Sequence, residues 1–469
     1  MTSQWQLRAA FAQRLSDMYG REVPAYTALV DVSRAVNEDV LRTQGADAQR
    51  LGSISRVTAE RHGAIRVGTA RELQQVARIF GALGMHPVGF YDLREAAASA
   101  VPVISTAFRP VDGEELARNP FRVFTSMLTP ADPRFFDDDL RSRLEAFLAD
   151  RELFPPELLS LADRAEAERE LPEADAERFL RLAVQAFELS TEPVDQAWYA
   201  TLERVSAVAA DIGGVRSTHV NHLTPRVLDI DELYRRMTER GIEMIDTIQG
   251  PPRWQGPDVL LRQTSFRALA EPRAMRAPDG TVTSSALRVR FGEVEARGIA
   301  LTREGRALYD RLLASIDEQA ALHPGTDRGE LARTVWAAHM PVTEHELATW
   351  GLGYFTYHVT PDRPRDAGHP PTGISELIAG GWVRAEPIVY EDFLPRSAAG
   401  IFQSNLSGDG ARDNDQQGAA YDTAWLSGAI DREVLDPFAL YQQQQDHSIA
   451  QVARELGLDG ALTPPKGAS

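Results

Sequence analysis

The chain has 469 residues, 43% of them hydrophobic and 25% charged, a composition that can bury at least one large core. A formal charge of −18 argues against wrapping nucleic-acid phosphates or an anionic membrane, both of which need a local Lys/Arg excess. The lack of cysteine excludes disulfides, thiolate metal sites and cysteine nucleophiles, and the single lysine, Lys466, removes lysine-base and Schiff-base chemistry from the body of the chain.

Residues 1–58 place apolar side chains at three-to-four spacing and are expected to form a helical cover. No apolar run approaches the ~18 residues of a membrane span, and no basic stretch leads into an apolar one at the N-terminus, so a cytoplasmic protein is expected. Residues 59–112 alternate strand and helix character. Residues 113–212, rich in Leu, Ala, Glu and Arg with proline punctuation, predict a large helical insertion. Strand character returns over 213–303 in "STHVNHLTPRVL", "DVLLRQTSF" and "ALRVRFGEVEARGIAL". Residues 304–469 open with a helix and continue as a mixed segment, with "LPRSAAGIFQSN" read as a small-residue turn. Asp409, Asp413 and Asp415 in "GDGARDNDQQG" lack the ligand order of a calcium loop and predict a solvated loop.

The stretch around His62 is written twice. With His62 aligned on His222, Arg66 matches Arg226, Thr69 matches Asp229 and Glu72 matches Glu232, so that each copy carries a capping-box signature before a helix. Both helices end near a glycine, Gly84 or Gly241, and a strand-like segment follows each. A strand–helix–strand unit therefore occurs twice. Within each first strand, residues four apart share a face, so His62 lies with Arg66 and His222 with Arg226. A single buried histidine is more often a core residue than a ligand. Two equivalent units about a pseudo-twofold would instead bring their histidines to one cavity. Two imidazoles need a third, anionic ligand, and Glu293, Glu295 and Arg297 share one face of "RFGEVEARGIAL". Two histidines and a carboxylate form the set that leaves open positions on ferrous iron. His219 competes with His222, but its odd spacing assigns it to the other strand face.

"HGAIRVGT", "NHLTPR", "LLRQTSF", "RFGEVEARG" and "LPRSAAGIFQSN", in this order and over nearly the whole chain, resemble the iron-dependent 2-oxoadipate dioxygenase/decarboxylase family of the vicinal oxygen chelate superfamily. The resemblance implies an α+β fold of paired βαβββ modules in a half-open barrel, the modules spanning 59–112 and 213–303 of a single enzyme domain. It implies Fe(II) on His62, His222 and Glu293, the last preferred to Glu295 because an aromatic–small pair precedes it and an arginine follows four residues on. The implied reaction takes 2-oxoadipate and dioxygen to 2-hydroxyglutarate and carbon dioxide through a ferryl species, without a second cosubstrate, as in lysine degradation. Arg66 is the implied catalytic clamp for the distal carboxylate, with Gln263 and Ser397 also binding substrate. Arg226 is expected in a structural ion pair. Arg396 stands where the family resemblance leads one to expect an apolar residue, which bears on the choice of dicarboxylate. The competing readings are a non-redox metal lyase or isomerase of the same fold, which would commonly hold a fourth protein ligand, and a metal-free binding cup.

Overall fold

Helices α1 (Gln4–Glu22) and α2 (Pro24–Gln44) open the chain as the apolar spacing predicts. Ser3 and Gln6 form a capping box at the start of α1, and Pro24 occupies the first turn of α2, where its missing N–H is not needed. The computed structural model describes the chain except for residues 60, 96–100, 289, 365–368, 406–411, 413–415, 459–461 and 463–469. The acidic loop with Asp409, Asp413 and Asp415 lies outside the described residues.

The central sheet is built from β1 (Arg61–Val67), β2 (His86–Asp92), β3 (Val103–Arg109), β4 (Arg122–Leu128) and β5 (Val220–Pro225), in the order β2-β3-β4-β1-β5. Helix α3 (Ala70–Ala82) connects β1 to β2. Its stripe of Leu73, Val76, Ala77, Ile79 and Phe80 is at most 1% exposed. Burial of each larger side chain in that stripe contributes about 1.5–3 kcal/mol against the sheet. Strand β1 pairs parallel with β4 and antiparallel with β5. Its alternation divides the molecule, with Ala64 in one hydrophobic cluster and Ile65 and Val67 in the other.

Strand β4 corrects one expectation. It lies within 113–212, read from sequence as wholly helical, yet "RVFTSML" is a strand buried at every position. A strand covered on both faces shows no polar–apolar alternation, so its pattern does not separate it from helix. The remainder of that segment does carry helices, among them Asp138–Ala149, Pro156–Glu168, Glu173–Gln185 and α4 (Ala207–Gly213).

The second half repeats the pairing order of the first. Helix α5 (Ile230–Glu239) follows β5, and β6 (Leu261–Phe266) pairs antiparallel with β7 (Gly292–Arg297). Met244 and Gln249 bridge antiparallel to Phe266 and Gln263, while Glu295 bridges parallel to Arg226 at the end of β5. The order is thus the 244–249 segment, β6, β7, β5, as β2, β3, β4, β1 stand in the first half. Gly292 sits opposite Phe266, and a Cβ there would lie 2.0 Å from the phenyl ring, so β7 can approach β6 only with glycine at this point. The two helix starts differ. Thr69 and Glu72 form the full capping box, whereas in the second copy Asp229 caps Glu232 N and the Glu232 carboxylate is taken by Arg235 and Arg236.

The halves meet along β1 and β5. His62 is opposite Thr224, and Ala64 is opposite His222. A constant offset of 160 residues carries His62 to His222 and Ala64 to Thr224, so exchanging the halves maps one pair onto the other. The N-terminal cover locks this junction. The Tyr19 hydroxyl lies 3.0 Å from Asn221 O and 2.9 Å from Phe291 O, and Asn37 donates to Arg226 O while accepting from Leu228 N.

The segment "PRSAAGIFQSN", expected as a turn, is instead helix α6 (Pro395–Asn405). Proline supplies the first helical position, and Asn405 at the other end ties the helix to β6 by donating to Ser265 Oγ. Among the described residues no helix is long and apolar enough to cross a membrane.

Candidate metal centre

His62 on β1, His222 on β5 and Glu293 on β7 converge, with one donor atom from each lying within 4.8 Å of the others. Glu293 Oε2 is 3.6 Å from His62 Nε2, and Oε1 is 3.2 Å from His222 Nε2. The register of β1 and β5 brings the two histidines together, and their imidazole rings stand at 88° with centroids 5.4 Å apart. All three residues are at most 4% exposed. Phe393 packs edge-on against His62, and Phe291 stacks on His222.

The far nitrogen of each imidazole is engaged. His62 Nδ1 is 2.8 Å from Glu295 Oε2, and His222 Nδ1 is 3.1 Å from Thr224 Oγ1. These contacts turn both Nε2 atoms toward Glu293. Glu295 is in turn gripped by Arg297 through two hydrogen bonds of 2.8 and 2.9 Å, with Arg122 at 3.6 Å. The sequence left Glu293 and Glu295 on one face. The structure separates them by environment, with Glu293 facing both Nε2 atoms and Glu295 lying behind His62.

Charge in the site follows from these contacts. Burial pushes the Glu293 pKa up against the pull of His62. It also opposes ionisation of Glu295, but Arg297, His62 and Arg122 outweigh burial and hold that pKa down. At His62, burial disfavours the imidazolium, yet Glu295 and Glu293 prevail and raise its pKa. His222 is shifted the other way by burial, by His62 and by Arg66. The carboxylates thus favour positive charge at His62, and a cation bound in place of its proton would meet two imidazole nitrogens and one carboxylate.

Arg66 is buried beside this group, close enough to act electrostatically on both His222 and Glu293. Its Nη1 meets Asp211 on α4 at 2.5 Å. Asn221 also donates to Asp211, and His219 Nε2 lies 3.4 Å from it. His219 is therefore not beside Glu293. The odd-spacing argument against it needs correction, because the register of β5 shifts around Asn221 and returns His219 to the side of Arg66, where both meet Asp211. Gln263 donates to Glu293 Oε2 at 3.2 Å. Ser397 is buried in the first turn of α6, while the neighbouring Arg396 is 64% exposed and lies 3.5 Å from Asp317, so its charge is directed outward. Arg226, the repeat partner of Arg66, donates to the carbonyls of Leu51 and Arg297.

Sequence reasoning missed Asp211, Thr224 and Phe124. Thr224 was within reach, being two residues from His222 on an alternating strand. Phe124 follows from pairing alone. It is parallel to Ala64, as Glu293 is placed beside Thr224 by the Arg226–Glu295 bridge, and Ala64 and Thr224 are repeat equivalents. Phe124 thus occupies the first-half counterpart of Glu293. A site built twofold from this repeat has four such corners, and here one is a hydrocarbon ring.

Comparison with known proteins gives one consistent result. Residues 11–405 match the family model for 2-oxoadipate dioxygenase/decarboxylase. A protein of Mycobacterium tuberculosis named 2-oxoadipate dioxygenase/decarboxylase is 57% identical over 436 residues, covering 93% of this chain and 95% of its own. One of Escherichia coli K12 with the same name is 40% identical over 457 residues, covering 94% and 97%. Among solved structures, hydroxyglutarate synthase from Pseudomonas putida in complex with 2-oxoadipate superimposes with a TM-score of 0.83 at 38% identity, covering 98% of this chain and 99% of that one.

Proposed function

The chain belongs to the 2-oxoadipate dioxygenase/decarboxylase family, and from that premise we infer that it converts 2-oxoadipate and dioxygen to 2-hydroxyglutarate and carbon dioxide with Fe(II) on His62, His222 and Glu293. The observation that carries the reading is the convergence of two imidazole Nε2 atoms and one carboxylate from three strands, each with its far side already engaged. This donor set fits a divalent cation, and the ring of Phe124 at the fourth corner leaves coordination positions for substrate. Bound Fe(II) would supply the chelation of the 2-oxo acid and the activation of dioxygen. The lyase reading commonly requires a further protein ligand, and the corresponding corner holds none.

The chain's own residues perform the remaining tasks. Arg66 binds the distal carboxylate of the dicarboxylate. Its orientation comes from Asp211, which Asn221 and His219 hold in turn. A planar guanidinium fixed on one side grips a carboxylate in one geometry and retains the shortened product during the second half of the reaction. Gln263 steadies Glu293, and a small rotation of its amide would bring it to a substrate oxygen. Ser397, buried in α6, is assigned to the remaining polar contacts of the substrate. Phe393 and Phe124, 5.0 Å apart, form an apolar wall that excludes water from the reacting end. The matching strand orders of the two halves support paired βαβββ modules of the vicinal oxygen chelate type, within one enzyme domain.

The test is oxygen uptake by protein loaded anaerobically with Fe(II), on addition of 2-oxoadipate, with mass spectrometry of the product. One dioxygen consumed per 2-hydroxyglutarate formed, abolished by His62→Ala, is expected. Absence of uptake with iron bound, and with 2-oxoglutarate and longer homologues also tried, would remove the dioxygenase reading.

A further inference from the structure

Glu295 is wholly buried, and its two oxygens meet charged partners on every side described: His62 Nδ1 at 2.8 Å, the fork of Arg297, and Arg122 at 3.6 Å. The two arginines are themselves fixed. Arg297 Nη1 donates to the carbonyls of Tyr390 and Asp392, and Arg122 Nη2 reaches Glu391, which also binds Arg56. A continuous line of ion pairs therefore runs from the back of one imidazole through Glu295, Arg122 and Glu391 to Arg56, whose side chain is 13% exposed.

The repeat shows that this arrangement is specific to one histidine. His222 rests its Nδ1 on Thr224, a neutral hydroxyl. The first-half counterpart of Thr224 is Ala64, which has no polar atom to offer His62, and the anionic carboxylate comes from β7 instead. Going by the same bridge, the β4 counterpart of Glu295 is Ser126, which is bonded to Ser105. Two imidazoles that the backbone places as equivalents are thus given unequal partners.

We propose that Glu295 is a positioning residue for the metal centre: held by Arg297 and Arg122, it fixes the ring and tautomer of His62 and makes it the stronger donor of the two histidines. The proposal rests on the metal reading given above. An imidazole whose N–H faces a carboxylate is more basic at its other nitrogen than one facing a hydroxyl, and partners of this kind set metal affinity by about 10–100-fold. The two histidines would then differ in strength as donors to the cation.

The experiment titrates cobalt(II) into wild-type protein, Glu295→Gln and Thr224→Val, reading both affinity and the visible ligand-field spectrum, without turnover. E295Q is expected to bind cobalt about 10–100-fold more weakly, with an altered spectrum, and T224V to change both less. Wild-type affinity and spectrum in E295Q, whatever its melting temperature or activity, would show that Glu295 only neutralises the arginines and would overturn the proposal. Should E295Q not fold, zinc-loaded wild-type protein labelled with ¹⁵N-histidine decides. One ring, distinguished from the other by T224V, must show an Nδ1–H displaced downfield by an anionic acceptor, and indistinguishable rings would overturn the proposal. Wild-type protein that binds cobalt in this way yet consumes no oxygen with 2-oxoadipate would overturn the proposed reaction and leave the role of Glu295 intact.

Discussion

Phe124 stands in the first half of the molecule where Glu293 stands in the second. Replacing the ring with a carboxylate, Phe124→Glu, should close the open corner of the site. Zinc or cobalt binding is expected to tighten while oxygen consumption falls by at least about tenfold, because catalytic sites keep a position for substrate. Phe124→Leu should leave metal affinity near that of the wild type. Equal oxygen uptake in F124E and wild-type protein would show that this corner is not where substrate or oxygen binds.

Arg66 should govern the preference for a second carboxylate. A hydrogen bond to a charged group is worth about 1.5–3 kcal/mol, so Arg66→Gln is expected to raise KM for 2-oxoadipate by roughly 10–100-fold. The sharper readout is selectivity. Wild-type protein should favour 2-oxoadipate strongly over 2-oxohexanoate, and R66Q should discriminate little between them. Retained discrimination in R66Q would place the clamp elsewhere.

Metal binding should depend on the proton of His62. Burial works against that proton, but Glu295 and Glu293 hold it and raise the pKa above the usual 6.5. Nε2 must be free of it to bind a cation, so affinity should decline as pH falls through the raised value, by about tenfold per pH unit while one proton competes. In the metal-free protein the sign is opposite for folding. The contribution of the charged His62 is complete below the unfolded pKa and is lost as pH rises through the folded one. Competition titrations with cobalt across this range check the first statement, and a flat profile would refute it.

Tyr19 offers a test of the cover. Its hydroxyl serves two buried carbonyls flanking the metal strands, so Tyr19→Phe leaves both without that donor. A loss of about 1–3 kcal/mol in unfolding free energy is expected, measured by denaturant titration. An unchanged midpoint would mean that neighbouring groups or water take over the role of the hydroxyl.

The repeat was legible because both copies keep period-two strands before amphipathic helices, and alternation alone placed His62 with Arg66. Three features were not. Strand β4 is buried on both faces and lost its alternation. The irregularity at Asn221 lies in the pairing with β1, which no spacing along β5 records, so His219 was assigned to the wrong side. Asp211, 145 residues from Arg66, belongs to a short helix whose only signal is local, and nothing in the sequence announces its partner. Residue spacing reads faces within one element. It does not read which elements meet.

The reach of Tyr19 has a consequence for how the molecule comes into being. The two carbonyls it meets lie 202 and 272 residues further along the chain. Phe11 finds its partners Phe80, Phe121 and Phe187 earlier in the chain, but the seat of Tyr19 at the far end of α1 is not complete until the last metal-bearing strand has been synthesised and paired. Contacts between such distant segments form slowly, after the cost of closing the intervening loop. The first helix to leave the ribosome can thus dock by its N-terminal part while the end that carries Tyr19 settles late, and that end leaves the nascent chain open to aggregation and proteolysis in the interval before β7 arrives.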